Sequence, residues 1–292
     1  MRKFKVGTRQ VGTRADVFIA KKYPKFTRSS LIKLFDEQHI LANGSPAKPA
    51  YKLHASDIVE VDEVLLKTTP DKISLPIIYE DDDVMVIDKP AGMLTHSKGA
   101  LNLEASVASF IEDKLTDKSL IGNRAGIVHR LDRATSGVII TAKRAEAHRW
   151  LQKQFSLRKV KKTYLAVIQG ELTPQNAVID VPIARNPKKP QTFWASSSGK
   201  PAQTEYKVLD VVKDKDKYYS ILELKPTTGR THQLRVHLAY IGHPILGDRV
   251  YGQTGDLLYL HALSLEITLP NRQRMTFTSP IPEHIAKFIN HE

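Results

Sequence analysis

The stretch from Gly126 to Lys143, GIVHRLDRATSGVIITAK, constrains this chain more than any other. Thr135, Ser136 and Gly137 supply turn chemistry, and Val138, Ile139 and Ile140 then make a short apolar run suited to a buried strand. Asp132 therefore stands in a loop that enters a core, between Arg130 and Arg133. An isolated loop aspartate is ordinarily a cap or a solvated surface group. Here an arginine touching the carboxylate would favour its anion, and a partly buried anionic carboxylate serves as a nucleophile or a base.

The chain is long enough, at 292 residues, for one large domain and a small one. Its 41% hydrophobic residues, and the absence of any run of roughly 18 to 20 apolar residues, point to a globular protein without a membrane anchor. The basic N-terminus lacks the apolar segment of a secretory signal, so a cytoplasmic location is expected. With no cysteine, disulfides, thiolate metal sites and cysteine nucleophiles are excluded together. The 44 basic against 31 acidic residues give a net charge of +13, which favours a polyanionic partner through counterion release. Residues 1–35 concentrate this charge: ten lysines or arginines, Lys25 among them, face one acid, Asp16.

Within that segment Pro24 breaks the pattern, and Leu31, Ile32, Leu34 and Phe35 recur at helical spacing behind Thr27, a fitting cap. Two short helices are expected. Asn43-Gly44 then signals a hairpin, and Ile58 to Val61 reads as a strand. Residues 63–76, with two prolines and little periodicity, read as a linker between a domain at 1–62 and a second at 77–292. In the second, Ile77 to Tyr79 and Val84 to Ile87 flank an acidic turn. Ala147, Trp150, Leu151 and Phe155 mark a helix, and TYLAVIQGEL, TEYKVLDVV and YYSILELKP read as strands. The fold class is α+β.

Two further stretches carry chemistry. KPTTGRTHQLRVHLAYIGHPILGD holds a turn, with Arg230 near the start of a helix bearing Leu234, Leu238 and Ile241 and closed by Gly242. KKTYLAVIQG sets Tyr164 at the head of a strand whose prefix, Lys159, Lys161 and Lys162, could follow a phosphate backbone; taken by itself, Tyr164 reads as core packing.

The segments GTRADVFIAKKY, TRSSLIKLF, ANG and YKLHASDIVEVD, over about residues 6–62, resemble the RNA-binding domain named after ribosomal protein S-four. Gln38 and His39 replace the glycine common there. That resemblance implies RNA contacts by Arg14, Lys21, Lys22, Arg28 and Lys33. The segments YEDDDVMVIDKPAGMLTH, GIVHRLDRATSG, KTYLAVIQG, GKPAQTEYKVL, GRTHQLRVHLAYIGHPILGD and LHALSLEI, over about residues 77–267, resemble the RluA type pseudouridine synthases, most closely the branch acting on large-subunit ribosomal RNA.

This resemblance implies a catalytic domain with a mixed, largely antiparallel sheet behind the small helix-pair and β RNA-binding domain. It makes Asp132 the catalytic aspartate, Tyr164 the aromatic beside the target base and Arg230 the basic partner of the aspartate. Arg130 would enter the space left by the extruded uridine, with Arg133, Lys161 and Lys162 on the RNA backbone. The isomerisation conserves its atoms, so no cofactor and no metal is expected; ribosomal RNA is the expected partner, with transfer RNA as the alternative, and the protein is expected to be a monomer. Two rival readings stand beside this one. A metal hydrolase would use His129, His232, His237, His243 and His261, but the five-residue spacing from His232 to His237 does not suit a helical zinc pair. A noncatalytic RNA-binding or ribosome-assembly protein would not need Asp132, Tyr164 and Arg230 together.

Overall fold

The structure, a computed structural model, describes every residue apart from Lys25, Lys98, Ala100, Asn123, Thr254, His291 and Glu292. Lys25, counted in the basic segment, thus lies outside the described residues. The chain divides into two compact units, residues 1–72 with 96–105, and residues 73–95 with 106–292.

The first unit carries β1 (Arg2–Lys5), α1 (Ala15–Lys22), α2 (Arg28–Asp36), β2 (Ile40–Ala42), β3 (Ser45–Pro46), β4 (Ile58–Val61) and the short α3 (Val64–Lys67). The strands pair antiparallel in the order β1-β4-β2-β3. The sequence reading did not place β1, whose RKFK is mostly exposed and takes its strand form from pairing with β4. Phe18, Ile19, Leu31, Leu34, Ile40, Val59 and Val61 build the core. Thr27 caps α2 by accepting from the Ser30 N–H at 3.2 Å. Leu101 is buried in this core and its carbonyl accepts from Lys33 Nζ at 3.0 Å, which ties residues 96–105 to this unit. In the segment expected as a linker, Leu65 and Leu66 of α3 pack on the same core, and Leu75 is buried in the second unit.

Asn43 and Gly44 both hold positive φ, 52° and 80°, as a two-residue hairpin of the mirror-image type requires. At the end of α2, Gln38 holds φ 58° while the His39 N–H reaches Leu34 O at 2.8 Å and the Gln38 N–H reaches Phe35 O at 3.1 Å. This left-handed cap is the one that glycine usually makes.

The second unit contains β5 (Ile77–Glu80), β6 (Val84–Lys89), α4 (Val107–Glu112), β7 (Ser136–Ala142), α5 (Ala145–Ser156), β8 (Lys161–Gln169) and β9 (Asn176–Asp180). A two-stranded hairpin, β10 (Ile183–Arg185) and β11 (Phe193–Ala195), precedes β12 (Gln203–Asp214), β13 (Lys217–Pro226), α6 (Gln233–Tyr240), β14 (Leu260–Thr268), β15 (Arg274–Thr278) and α7 (Glu283–Ile289). Nine strands form one sheet in the order β5-β6-β7-β14-β8-β13-β12-β9, with β15 also on β14. Only β7 and β14 run parallel, so the sheet is mixed and largely antiparallel. All seven residues of β7 are buried, as its apolar run requires. Gly137, at φ 114°, has no space for a side chain, since a Cβ would collide with the backbone of Ala262 on β14. Among the described residues, no helix is long and apolar enough to cross a membrane.

Replacing Gln38 by glycine should raise the stability of the first unit by about 0.5 to 1 kcal/mol, because the left-handed cap no longer carries a side chain, less the entropy glycine returns to the unfolded chain. Denaturant unfolding of the two proteins measures this; an unchanged or lower midpoint would count against the cap.

Candidate active site

Asp132 lies in the turn that feeds β7, and neighbours on several sides hold that turn. Its own carbonyl accepts from the Thr135 N–H at 3.1 Å. Thr95 Oγ1 donates to Leu131 O at 2.8 Å, and the Leu131 N–H lies 3.2 Å from the same oxygen. Lys89, whose side chain is wholly buried, donates to the carbonyls of Pro90 at 2.9 Å, Met93 at 3.0 Å and Arg133 at 3.3 Å. Three acceptors for three ammonium protons is how a buried lysine is satisfied. Burial pushes the Lys89 pKa down to about 7, against an upward pull from Asp132. At the start of the turn, His129 Nε2 accepts the Ile140 N–H at 3.0 Å and the ring stacks on Phe155, centroids 4.6 Å apart. Burial takes His129 down to about 3, so it is neutral with its proton on Nδ1.

The opposite wall is the loop 226–232 and the helix α6. Gln233 organises the loop: its Oε1 accepts from Thr228 Oγ1 at 2.7 Å and from the Arg230 N–H at 3.0 Å, while its Nε2 donates to Gln203 O at 2.8 Å and Thr204 Oγ1 at 3.0 Å. Arg235, buried on α6, makes a two-pronged pair with Asp248, Nε to Oδ2 and Nη2 to Oδ1 both at 2.7 Å. Its remaining nitrogen, Nη1, stands 3.5 Å from Asp132 Oδ2. Burial opposes both charges of the inner pair, but the pairing keeps the Asp248 carboxyl below and the Arg235 guanidinium above its ordinary pKa. His232 Nε2 is 3.9 Å from the same Asp132 oxygen.

The basic partner of Asp132 is thus Arg235 and not Arg230. Arg230 lines the pocket but turns its Nε to Pro201 O at 3.0 Å, and it makes no ion pair among the described residues. The sequence held one signal for Arg235: a cation between Leu234 and Val236 on a helix whose residues 233–238 are all buried needs a buried counter-ion.

Asp132, Tyr164, Arg130, Lys162, Arg230 and Arg235 share one pocket of about 100 Å³. Tyr164 enters from β8, backbone-paired between Leu224 of β13 and Ala262 of β14. Burial first, then the Asp132 charge, push its phenol above its ordinary pKa. Lys162 donates to Thr228 O at 3.2 Å, and burial lowers it to about 8. A second cavity of about 440 Å³ continues from this pocket past Arg130, Lys162 and Tyr164 to Phe155 and Arg158. Among the described residues, Asp132 is the only acid lining either of them.

Other residues named from the sequence lie elsewhere. Arg133 is exposed and outside the pocket lining, and Lys161 pairs with Glu266 at 3.3 Å. In the first unit, Arg14 and Arg28 both pair with buried Asp16 at 2.8 Å and remain about half exposed. Lys22 lies over the rings of Phe4 and Phe18, and Lys33 pairs with Glu37 at 3.6 Å. Lys21 is exposed at the end of α1. Of the histidines, His237 bonds Thr204 Oγ1 and Val181 O, and His261 bonds Ser136 Oγ. Among the described residues, no cluster of three His, Cys, Asp or Glu is arranged to hold a metal.

The two arginines should separate in stability. Arg235→Ala leaves Asp248 buried without its counter-ion and should cost about 3 to 5 kcal/mol, whereas Arg230→Ala removes one exposed bond and should cost about 1 kcal/mol or less. Thermal unfolding of both variants gives the ranking, and equal losses would refute the pairing described.

Residues 83–240 match the family described as RNA pseudouridylate synthase. An RNA pseudouridine synthase of Aquifex aeolicus is 42% identical over 259 residues, which cover 86% of this chain and 81% of that protein. The ribosomal large subunit pseudouridine synthase D of Nitrosomonas europaea is 35% identical over 297 residues, 95% of this chain and 84% of that one. Among solved structures, human RNA pseudouridylate synthase domain containing 1 superposes with a TM-score of 0.60 at 28% identity, covering 73% of this chain and 86% of that one. The matched span runs through Asp132, Tyr164, Arg230 and Arg235 alike, and the chain belongs to the RNA pseudouridylate synthase family, enzymes that isomerise uridine to pseudouridine in RNA.

Proposed function

We propose that this enzyme acts on uridines of large-subunit ribosomal RNA, with Asp132 as the residue that starts the reaction. The observation that carries this reading is the setting of Asp132: one carboxylate in a pocket whose other charged lining residues, Arg130, Lys162, Arg230 and Arg235, are all cations, with Arg235 fixed beside it by a second, fully buried acid. The cations suit the phosphates that flank a uridine, and the carboxylate suits the glycosidic bond. Relatives named for the ribosomal large subunit, similar over nearly the whole chain, support the choice of RNA.

Forming pseudouridine breaks the bond from N1 to the sugar, turns the base and joins C5 to the same sugar carbon, so the C5 proton must leave. Asp132 attacks the sugar or base, or removes a sugar proton, to free N1. Tyr164, whose phenol keeps its proton at neutral pH, is not a resting base; it packs against the freed uracil and relays the C5 proton by handing its own on toward N1, which carries a proton in pseudouridine. Reaching N1 and C5 requires the base to leave its stack, at a few kcal/mol. Arg130, exposed at the rim, fills the vacated position, and the larger cavity beside Phe155 and Arg158 takes a flanking nucleotide.

The first unit serves as an RNA-binding domain of the S-four kind. Its helix pair presents Arg14, Lys21, Lys22 and Arg28 at the surface, with the two arginines steadied by Asp16. Lys33, half-buried and bonded to Leu101 O, supports that face more than it contacts phosphate.

Two outcomes follow. Asp132→Asn should abolish tritium release from C5-labelled uridine in unmodified large-subunit ribosomal RNA while RNA affinity stays within about twofold; substantial residual release would remove Asp132 from its role, and release from transfer RNA alone would redirect the substrate. Lys21→Ala with Lys22→Ala should lower the slope of log affinity against log salt by about 1 to 2. An unchanged slope would take these lysines off the RNA.

A further inference from the structure

The hairpin β10–β11 is not a strand of the nine-stranded sheet; its Ile183 and Phe193 pack with Val236 of α6, and a line of hydrogen bonds runs from it toward the site. The Phe193 N–H donates to Tyr251 Oη at 2.9 Å, and that oxygen lies 2.8 Å from His232 Nδ1. A phenol has one proton to give. Phe193 offers only a donor, so the Tyr251 proton goes to His232 Nδ1, the one acceptor it meets among the described residues. The ring proton of neutral His232 is therefore on Nε2, the atom 3.9 Å from Asp132 Oδ2. That distance is longer than a hydrogen bond, and it would close with less than about an ångström of travel.

The chain holds His232 firmly in this pose. Its φ of 58° is a left-handed conformation that a side-chain-bearing residue keeps only when its surroundings impose it. The ring meets Phe193 and Tyr251 edge-on, both with centroids 5.6 Å away. Tyr251 is anchored in turn, its N–H bonding Asp248 Oδ1 at 3.1 Å and its ring lying under the Arg235 guanidinium. The hairpin itself is basic, with an exposed turn. Residues 181–204 contain no acid, the hairpin and its turn carry exposed Arg185, Lys188 and Lys189, and Trp194 is 48% exposed. Exposed cations beside an exposed indole suit phosphates and an unstacked base.

We propose that Tyr251 and His232 are positioning residues through which RNA seated on the β10–β11 hairpin sets the Asp132 carboxylate for reaction. The Phe193 backbone is the first link, the Tyr251 hydroxyl the second, and closure of His232 Nε2–H onto Asp132 Oδ2 the last. This inference rests on Asp132 being the reacting carboxylate.

The test measures the single-turnover rate at saturating large-subunit ribosomal RNA and, separately, RNA affinity, on the full chain. Tyr251→Phe keeps the ring and removes both bonds; the saturating rate should fall about ten- to a hundredfold, the size expected when a reacting group is misplaced by about an ångström, with affinity within about twofold. The hairpin variant Lys188→Ala/Lys189→Ala/Trp194→Ala should weaken binding and also lower the saturating rate. Combined with Tyr251→Phe, it should weaken binding as before and lower the saturating rate no further, because the link is already cut. A wild-type saturating rate in Tyr251→Phe, a rate loss that merely follows weakened binding, or losses that multiply in the combined variant would each overturn the relay. His232→Gln, which keeps a donor without the fixed ring, should lose rate as Tyr251→Phe does, and full activity there would also overturn it. Asp132→Asn run alongside separates the readings: inactive Asp132→Asn with fully active Tyr251→Phe defeats the relay alone, whereas active Asp132→Asn defeats both.

Discussion

The site depends on the buried pair of Arg235 and Asp248. A charged residue in a helix buried over six consecutive positions is tolerated only with a counter-ion of matching geometry, and Asp248 supplies both oxygens to the guanidinium while accepting the N–H groups of Val250 and Tyr251. That arrangement uses two of the three guanidinium nitrogens. The third is left facing Asp132, so the position of that carboxylate is tied to how α6 docks. The other polar residues of the helix dock it elsewhere: Gln233 on Gln203 and Thr204, His237 on Thr204 and Val181. Gln233 and His237 thus both fix α6 on Thr204 of β12, while Arg235 ties the helix to the loop that carries Asp248.

The facing turn is held by the same logic with a different group. Lys89 gathers three carbonyls, one of them next to Asp132, and its whole side chain is buried to do so. Removing it would take the side-chain donor from the carbonyls of Pro90 and Met93, while Arg133 O would keep the Gly92 N–H at 2.8 Å, and an acceptor left unpaired costs more than the bond itself contributes. Between Lys89 behind and Arg235 in front, Asp132 sits in a positive surround with one side open to the pocket. A pocket with four cations in its lining thus presents a single anion among its described residues.

Much of this was legible in the residues. Turn chemistry followed by an apolar run placed Asp132 at the mouth of a buried strand, and β7 is buried throughout. The helix pair, the Thr27 cap and the Asn43-Gly44 hairpin follow from local rules that the tertiary structure does not override. What local pattern could not supply was pairing at a distance. The leucines on α6 drew attention to its apolar stripe, and Arg235, between two of its buried neighbours, has a partner thirteen residues away that no periodicity reveals. Residues 96–105 join the first unit through Leu101, although no composition shift marks them off from the second. β1 is a strand because β4 lies beside it, not because RKFK favours one.

Asp16 and Asp132 show why an acid among arginines has two meanings. Asp16 is almost wholly buried, both its oxygens are taken by the forks of Arg14 and Arg28, and those bonds bring its pKa down to about 2. Three hydrogen bonds within the protein occupy both oxygens, and their effect is to hold two half-exposed guanidinium groups at the surface. At Asp132 the relation is reversed. Its ion-pair partners stand at 3.5 and 3.9 Å, too far to saturate it, and its side chain is open to a pocket. There the arginine serves the acid, and the carboxylate keeps oxygens free for a substrate. The sequence motif, an aspartate with arginines nearby, is common to both; burial and the occupancy of the oxygens separate a saturated anchor from a carboxylate open to a pocket.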